Sequence, residues 1–274
     1  MSERAMQSKG GCVLVFDSGL GGLSVLGALQ KACARARFVY AADNQGFPYG
    51  GSSEARLKSR LVDLFARLID YAAPDLVVIA CNTASTLALG RLRDRFDVPF
   101  VGTVPAIKVA ARLSRSRVIG VLATPGTARR EYTQDLIADF AGDCRVVLAA
   151  SPGLAGMAER KLLGSAPEPS EIEREIKPAF VANGGKRTDV VVLACTHYPF
   201  LLDELVRAAP WPVRYVDPAD AIARQAAVVL AGLPARVATG KPQGHQAVFT
   251  ADYPDRPALV SLLEGYGLKN IATL

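Results

Sequence analysis

Two cysteines sit in nearly identical surroundings. Asp75-Leu-Val-Val-Ile-Ala-Cys81-Asn82-Thr83 and Asp189-Val-Val-Val-Leu-Ala-Cys195-Thr196-His197 each run from an Asp through apolar residues to a Cys and then small polar side chains. A continuous, β-branched apolar run reads as a strand buried on both faces. Ligands of parallel sheets lie outside the carboxyl ends of the strands, so both thiols are expected where chemistry is done. A lone strand-end cysteine is more often a small core residue, but two in matched contexts favour function. A Cys hydrolase would need a His partner, which only His197 beside Cys195 could supply, leaving Cys81 without a role. A redox pair would need Cα atoms within about 7 Å, which spacing alone does not decide. Two-base proton transfer at carbon uses both thiols, one removing a proton and the other delivering one to the opposite face. A free thiol has a pKa of about 8.5, so one of them must be activated. Asp17, Glu159 and His197 are the ionisable residues available for this. Ser18, Asn82, Thr83, Thr124 and Thr196 could hold a substrate carboxylate as charge builds on the carbanion.

The elements that must position these residues repeat. Val13–Phe16 leads into Asp17-Ser18-Gly19-Leu20-Gly21-Gly22, and Val118–Ala123 leads into Thr124-Pro125-Gly126. Together with the two cysteine strands this predicts an α/β fold of two pseudo-symmetric lobes, each a mainly parallel sheet flanked by helices, with the active site between them. The first lobe is expected over residues 1–98 plus 217–274, and the second over 99–216. Crossings are read at Thr103–Pro105 and Asp217-Pro218. The Gly-rich turn after Asp17 is a place for backbone N–H groups to meet an anion, or simply a tight turn. It does not fit a dinucleotide or P-loop fingerprint. Helices are predicted at Leu23–Ala34, Ser53–Tyr71, Thr83–Phe96, Ala106–Leu113, Tyr132–Phe140, Glu171–Ala182 (with Pro178 placed to end it early), Leu201–Ala208, Ala219–Leu230 and Arg256–Gly265, the last closing the chain. A helix starting just after Cys81 would favour its thiolate. Pro48-Tyr49-Gly50 reads as loop with Tyr49 exposed, 151–170 as Gly- and Pro-containing, and 240–244 as loop, with His245 solvated. Asp75 and Asp189 lie at the wrong ends of their strands for the site and read as turn or cap residues.

Composition narrows the function further. Five cysteines at irregular spacing, no Cys-x-x-Cys and two histidines argue against a metal site or a disulfide framework. The net charge of +6 over 274 residues is mild and spread out. It suits an anionic small substrate, and the lack of aromatic residues among the basic clusters disfavours nucleic acid. Residues 1–11 carry no apolar signal core, and no apolar run reaches about 18 residues, so a cytoplasmic chain without a membrane span is expected.

Phe16-Asp17-Ser18-Gly-Leu-Gly-Gly22, Pro48-Tyr49-Gly50, Ala80-Cys81-Asn82-Thr83 and Ala194-Cys195-Thr196-His197-Tyr-Pro run through most of the chain. In that order they resemble the cofactor-independent glutamate racemases of the aspartate/glutamate racemase superfamily. The resemblance implies Cys81 and Cys195 as proton donor and acceptor, with Cys81 acting on the D enantiomer and Cys195 on the L. It implies substrate contacts by Asp17, Ser18, Tyr49, Gly50, Asn82, Thr83, Thr196 and His197, L- or D-glutamate as substrate, and no cofactor. It also implies D-glutamate for peptidoglycan as the product and allows a homodimer. Thr124 and Thr127 resemble the family's Thr-x-x-Thr turn. Glu159 falls where an acidic residue often stands near the second thiol, but Ser151-Pro152-Gly-Leu-Ala-Gly replaces the Cys-Pro and bulky run expected there. Glu159 is therefore weighed evenly against a plain surface glutamate. The alternatives kept are a racemase of aspartate or another amino acid, and a non-catalytic binding protein on the same fold.

Overall fold

The computed structural model describes residues 10–234 and 244–274; most of the N-terminal stretch and the loop read at 240–244, up to residue 243, lie outside them. In chain order the elements are β1 (Cys12–Asp17), α1 (Leu23–Ala32), β2 (Arg37–Ala42), α2 (Glu54–Ala72), β3 (Leu76–Ile79), α3 (Asn82–Arg95), β4 (Phe100–Gly102) and α4 (Ile107–Leu113). There follow β5 (Val118–Ala123), α5 (Pro125–Ala128), α6 (Glu131–Ala141), β6 (Arg145–Ala150), α7 (Leu154–Leu162), α8 (Pro169–Ile176), a small antiparallel hairpin β7 (Ala182–Asn183) and β8 (Lys186–Arg187), and β9 (Val190–Ala194). The chain ends with α9 (Leu202–Ala208), β10 (Arg214–Val216), α10 (Ala219–Gly232), β11 (Gln246–Phe249), α11 (Arg256–Glu264) and β12 (Asn270–Thr273).

These strands form two parallel sheets, ordered β12-β11-β2-β1-β3-β4 and β10-β9-β5-β6. The order β2-β1-β3-β4 in one sheet is repeated as β6-β5-β9-β10 in the other. The two cysteine strands, β3 and β9, thus hold equivalent places beside β1 and β5. Both faces of each sheet are covered, which is why these strands read as unbroken apolar runs. Val13, Val15, Leu76 and Val78 face the α1/α10 layer, while Leu14, Phe16, Val77 and Ile79 face α2 and α3. In the second sheet Val191 and Leu193 pack on α7, α8 and α9, and Val190 and Val192 on α4 and α6. After β10 the chain returns at Pro218, so α10 packs on α1 over the first sheet.

Two readings are corrected. The chain closes on a strand, not a helix: β12 follows α11 and extends the first sheet beyond β11. Residues 154–162 form a helix inside the segment read only as Gly- and Pro-containing. The helix read at Glu171–Ala182 stops at Ile176, the early end expected from Pro178, which has no N–H to continue an α-helix and lies in a 3-10 turn over Lys177–Ala179.

Candidate active site

The carboxyl ends of β1 and β3 from one sheet and of β5 and β9 from the other meet at one small cavity of about 20 Å³. Its wall includes Ser18, Tyr49, Gly50, Cys81, Asn82, Thr83, Thr124, Cys195, Thr196 and His197, all singled out from the sequence, together with Phe47, Pro48 and Ala155. Asp17, Thr127 and Glu159 stand one layer behind. Each thiol is nearly buried, Cys81 at 5% exposure and Cys195 at 6%, and they come from different sheets.

Cys81 is the N-cap of α3, as the sequence places it. Its charge preference is the reverse of the helix-dipole expectation. Burial pushes its thiol well above the ordinary range and the nearby Asp17 carboxylate adds to this, outweighing the Ala84 N–H and the Ser18 hydroxyl, 3.9 Å away. Asn82 opens α3 with both its amide nitrogen and its amide oxygen buried and without a hydrogen-bond partner among the described residues. Such a side chain costs about 1–3 kcal/mol unless something pairs with it. Thr83 lies 2.9 Å from the Thr124 hydroxyl and 3.1 Å from that of Thr127, linking the two sheets at the cavity floor. Thr124 caps α5 by accepting the Thr127 N–H.

Around Cys195 the surroundings are charged. Its Sγ lies 3.7 Å from His197 Nδ1, and Nε2 of the same ring is 2.8 Å from Glu159 Oε1 and 4.0 Å from Asp17 Oδ2. Burial pulls the imidazole down, but the thiol and the two carboxylates outweigh it, so His197 holds its proton well above the ordinary histidine range. The Gly21 N–H also points at Nε2 from 3.1 Å. One nitrogen cannot both accept that bond and donate to Glu159, and an imidazolium uses the carboxylate. Asp17 is fully buried. Burial raises its carboxyl, opposed by His197 and by the N–H groups of Gly22 and Gly19. Its Oδ1 is 3.4 Å from the Thr196 hydroxyl.

The Gly-rich turn does meet anions, and they are the protein's own. Gly19 and Gly22 donate to Asp17, and the Leu20 N–H donates to Glu159 Oε1 at 2.5 Å. A methyl group at Gly19 would collide with the Glu159 carboxylate, and one at Gly21 with the His197 ring. The glycines are required by this close approach. Glu159 is accordingly buried on the inner face of α7, and the surface-glutamate reading falls.

Tyr49 is a further correction. It is buried, not exposed, and its phenol donates to Asp43 at 2.5 Å. Asp43 also accepts from Arg60 Nε at 2.6 Å and from the Thr250 hydroxyl at 2.7 Å, fixing the 44–50 loop over the cavity. Gly50 presses its backbone on Thr124 and Gly126 of the other sheet's turn. His245 is half-buried, not solvated, and its Nδ1 accepts the Phe38 N–H at 3.2 Å. Asp189 gathers Ser114 Oγ and the N–H groups of Arg115 and Ser116 at the far end of its strand, as a loop cap. Asp75 does the same for the Cys12 N–H. Phe47, whose ring lies 5.3 Å from the His197 ring, carried no signal beyond its place in a loop.

Among the described residues no group of three or more His, Cys, Asp or Glu is placed to hold a metal ion, and no helix is long and apolar enough to cross a membrane.

Residues 20–226 match the Asp/Glu/Hydantoin racemase family. The chain is 50% identical over 260 residues to the glutamate racemase of Brucella ovis, covering 94% of this chain and 92% of that protein. It is 48% identical to the glutamate racemase of Mesorhizobium japonicum, covering 93% and 97%. Its fold superposes on the crystal structure of Escherichia coli glutamate racemase in complex with L-glutamate and the activator UDP-MurNAc-Ala with a TM-score of 0.88. That match has 39% identity and covers 96% of this chain and 97% of the other.

Proposed function

This chain belongs to the Asp/Glu/Hydantoin racemase family, and we propose that within it the protein is a glutamate racemase acting by proton transfer between two thiols. The observation that carries the reading is that Cys81 and Cys195, from equivalent strands of separate sheets, wall one cavity.

In the L-to-D direction the Cys195 thiolate, paired with the His197 imidazolium, removes the α-proton. The C–H electron pair stays on carbon, and the Cys81 thiol delivers its own proton to the opposite face. The enzyme is left with Cys195 protonated and Cys81 as thiolate, the form that takes D-glutamate. The asymmetry of the two surroundings supports this order: the buried Cys81 thiol holds its proton, while Cys195 has a cation beside it. Asn82 offers an unpaired donor and acceptor to the substrate, and Ser18, Thr83, Thr124 and Thr196 supply hydroxyls along the wall. Tyr49 and Gly50 shape the wall through the loop that carries them, and Thr127 orients Thr83 and Thr124. Asp17, Glu159 and His197 set the charge near the thiols. The product would be D-glutamate for peptidoglycan, made in the cytoplasm.

The test is a chiral assay of the purified protein, dialysed against chelator, on each enantiomer of glutamate and aspartate with nothing added. The expected result is racemisation of glutamate in both directions, favoured over aspartate by about 10² in kcat/KM, because a shorter acid leaves polar groups unmatched. Activity that appears only with an added cofactor, or equal turnover of aspartate, would contradict it.

A further inference from the structure

Behind the second thiol, the chain Cys195–His197–Glu159 does not end at Glu159. Oε1 of that carboxylate takes the Leu20 N–H at 2.5 Å and faces His197 Nε2 at 2.8 Å. Oε2 accepts the hydroxyl of Tyr253 at 3.0 Å, which is the hydrogen bond found to that oxygen among the described residues. Tyr253 comes from the far end of the sequence, in the connection between β11 and α11. This connection belongs to the first sheet, whereas Glu159 lies on α7 over the second.

The connection is firmly tied. The Asn44 side chain donates to Ala251 O at 2.7 Å and accepts the Thr250 and Ala251 N–H groups at 3.1 and 3.0 Å. The Thr250 hydroxyl reaches Asp43, and the Tyr253 ring stands edge-on to Phe249, 5.3 Å between centroids. The hydroxyl therefore arrives at Glu159 from a fixed direction. Without it, Oε2 would be an acceptor left without a partner in a largely buried place, and the carboxylate would gain by rotating away from His197.

We propose that Tyr253 is a positioning residue for the Cys195 half of the reaction, holding Glu159 in the orientation that pairs with His197. The catalytic part of this rests on the racemase reading above; the positioning part does not. The groups facing His197 are Cys195 from its own segment, Glu159 from α7 and Asp17 from the end of β1. Tyr40, whose hydroxyl holds Gly19 O at 2.5 Å, stands behind the Gly-rich turn. Among these groups Glu159 is the one that the Tyr253 hydroxyl hydrogen-bonds.

The test is Tyr253→Phe, which keeps the ring on Phe249 and so keeps the fold. The protein has two histidines, so their imidazoles can be followed separately by NMR through a pH titration, with a His245 variant for assignment. In Tyr253→Phe the His197 midpoint should fall by about one pH unit, the size of a lost charge partner's contribution, while His245 titrates as before. In a Glu159→Gln background the same substitution should add nothing. The kinetic arm is the α-deuterium isotope effect on kcat, measured from each enantiomer. Enantiomers have equal free energy, so kcat/KM must stay equal in the two directions and cannot show the asymmetry. The isotope effects should move in opposite senses, rising from L-glutamate, where Cys195 breaks the C–H bond, and falling from D-glutamate, where Cys195 acts in the second step. A His197 midpoint that stays put or rises, or isotope effects that move alike for both enantiomers, would overturn the proposal. A wild-type protein that racemises neither enantiomer would remove the racemase reading and leave the His197 titration to decide the positioning role.

Discussion

At the scale of single residues, Asn82 and Glu159 show what sequence could and could not supply. Asn82 was legible from its place after a strand-end cysteine. Its unpaired amide, buried in the cavity wall, was not, because hydrogen-bond satisfaction depends on residues far away in sequence. Asn82→Ala should lower kcat/KM by about 10²-fold, the typical cost of one donor that strengthens its bond in the transition state, with little loss of stability because no protein partner is left behind. Steady-state rates and thermal melting of the same sample check both parts; unchanged kcat/KM would remove Asn82 from the proposed site. Sequence leaves Glu159 even between a site role and a surface position, since a glutamate in a Gly- and Pro-containing segment gives no sign of direction. Only α7 turns it inward, against a turn that lies about 140 residues earlier in the chain.

At the scale of elements, local rules worked where periodicity and turn chemistry agreed. The parallel strands and most helices fell near their expected bounds, and Val118–Ala123 matched in full. They failed where one signal masked another. The glycines of 153 and 156 hid α7, and β12 is a short edge strand with partly exposed residues, so it lacks the buried run that marks the central strands. The Gly-rich turn reads from sequence either as an anion site or as a plain tight turn, and nothing local identifies the anions it meets as Asp17 and Glu159. Gly21→Ala tests that element. The added methyl meets the His197 ring, so the ring must move, and the expected cost is about 1–3 kcal/mol of overpacking with a loss of racemisation larger than the stability loss explains. Urea unfolding alongside kinetics separates the two; wild-type kinetics would show that the ring contact does not matter. Asp43 tests the loop over the cavity. Burial raises its carboxyl, yet Arg60, Tyr49 and Thr250 outweigh burial and hold it below its ordinary value. A depressed carboxylate stabilises the fold above its unfolded pKa, and that contribution is lost as pH falls through the folded one. Asp43→Asn should therefore cost about 2–3 kcal/mol near neutral pH, and the gap from wild type should narrow in acid. A gap that is constant with pH would contradict the pairing.

At the scale of the whole molecule, the fold repeats one four-strand unit and joins the copies so that their cysteine strands end at the same cavity. Two matched sequence stretches, 114 residues apart from Cys81 to Cys195, already pointed to this. The inter-sheet contacts that close the cavity were not legible: the Thr83–Thr124 link, Gly50 on Gly126, the ion pair of Arg130 with Glu54, and Tyr253 on Glu159. Each joins residues with no local sequence relationship, and so no window of sequence contains both partners.

The central claim is that the two thiols act as separate bases on opposite faces of the substrate. The measurement that tests it most directly follows α-deuterium in heavy water, in substrate and in product, at under a tenth of conversion and from each enantiomer. Two separate thiols predict product labelled from the first turnover while the remaining substrate stays protiated, with Cys81→Ala and Cys195→Ala each losing racemisation in both directions. Early label in the remaining substrate, or substantial racemisation by either variant, would contradict it.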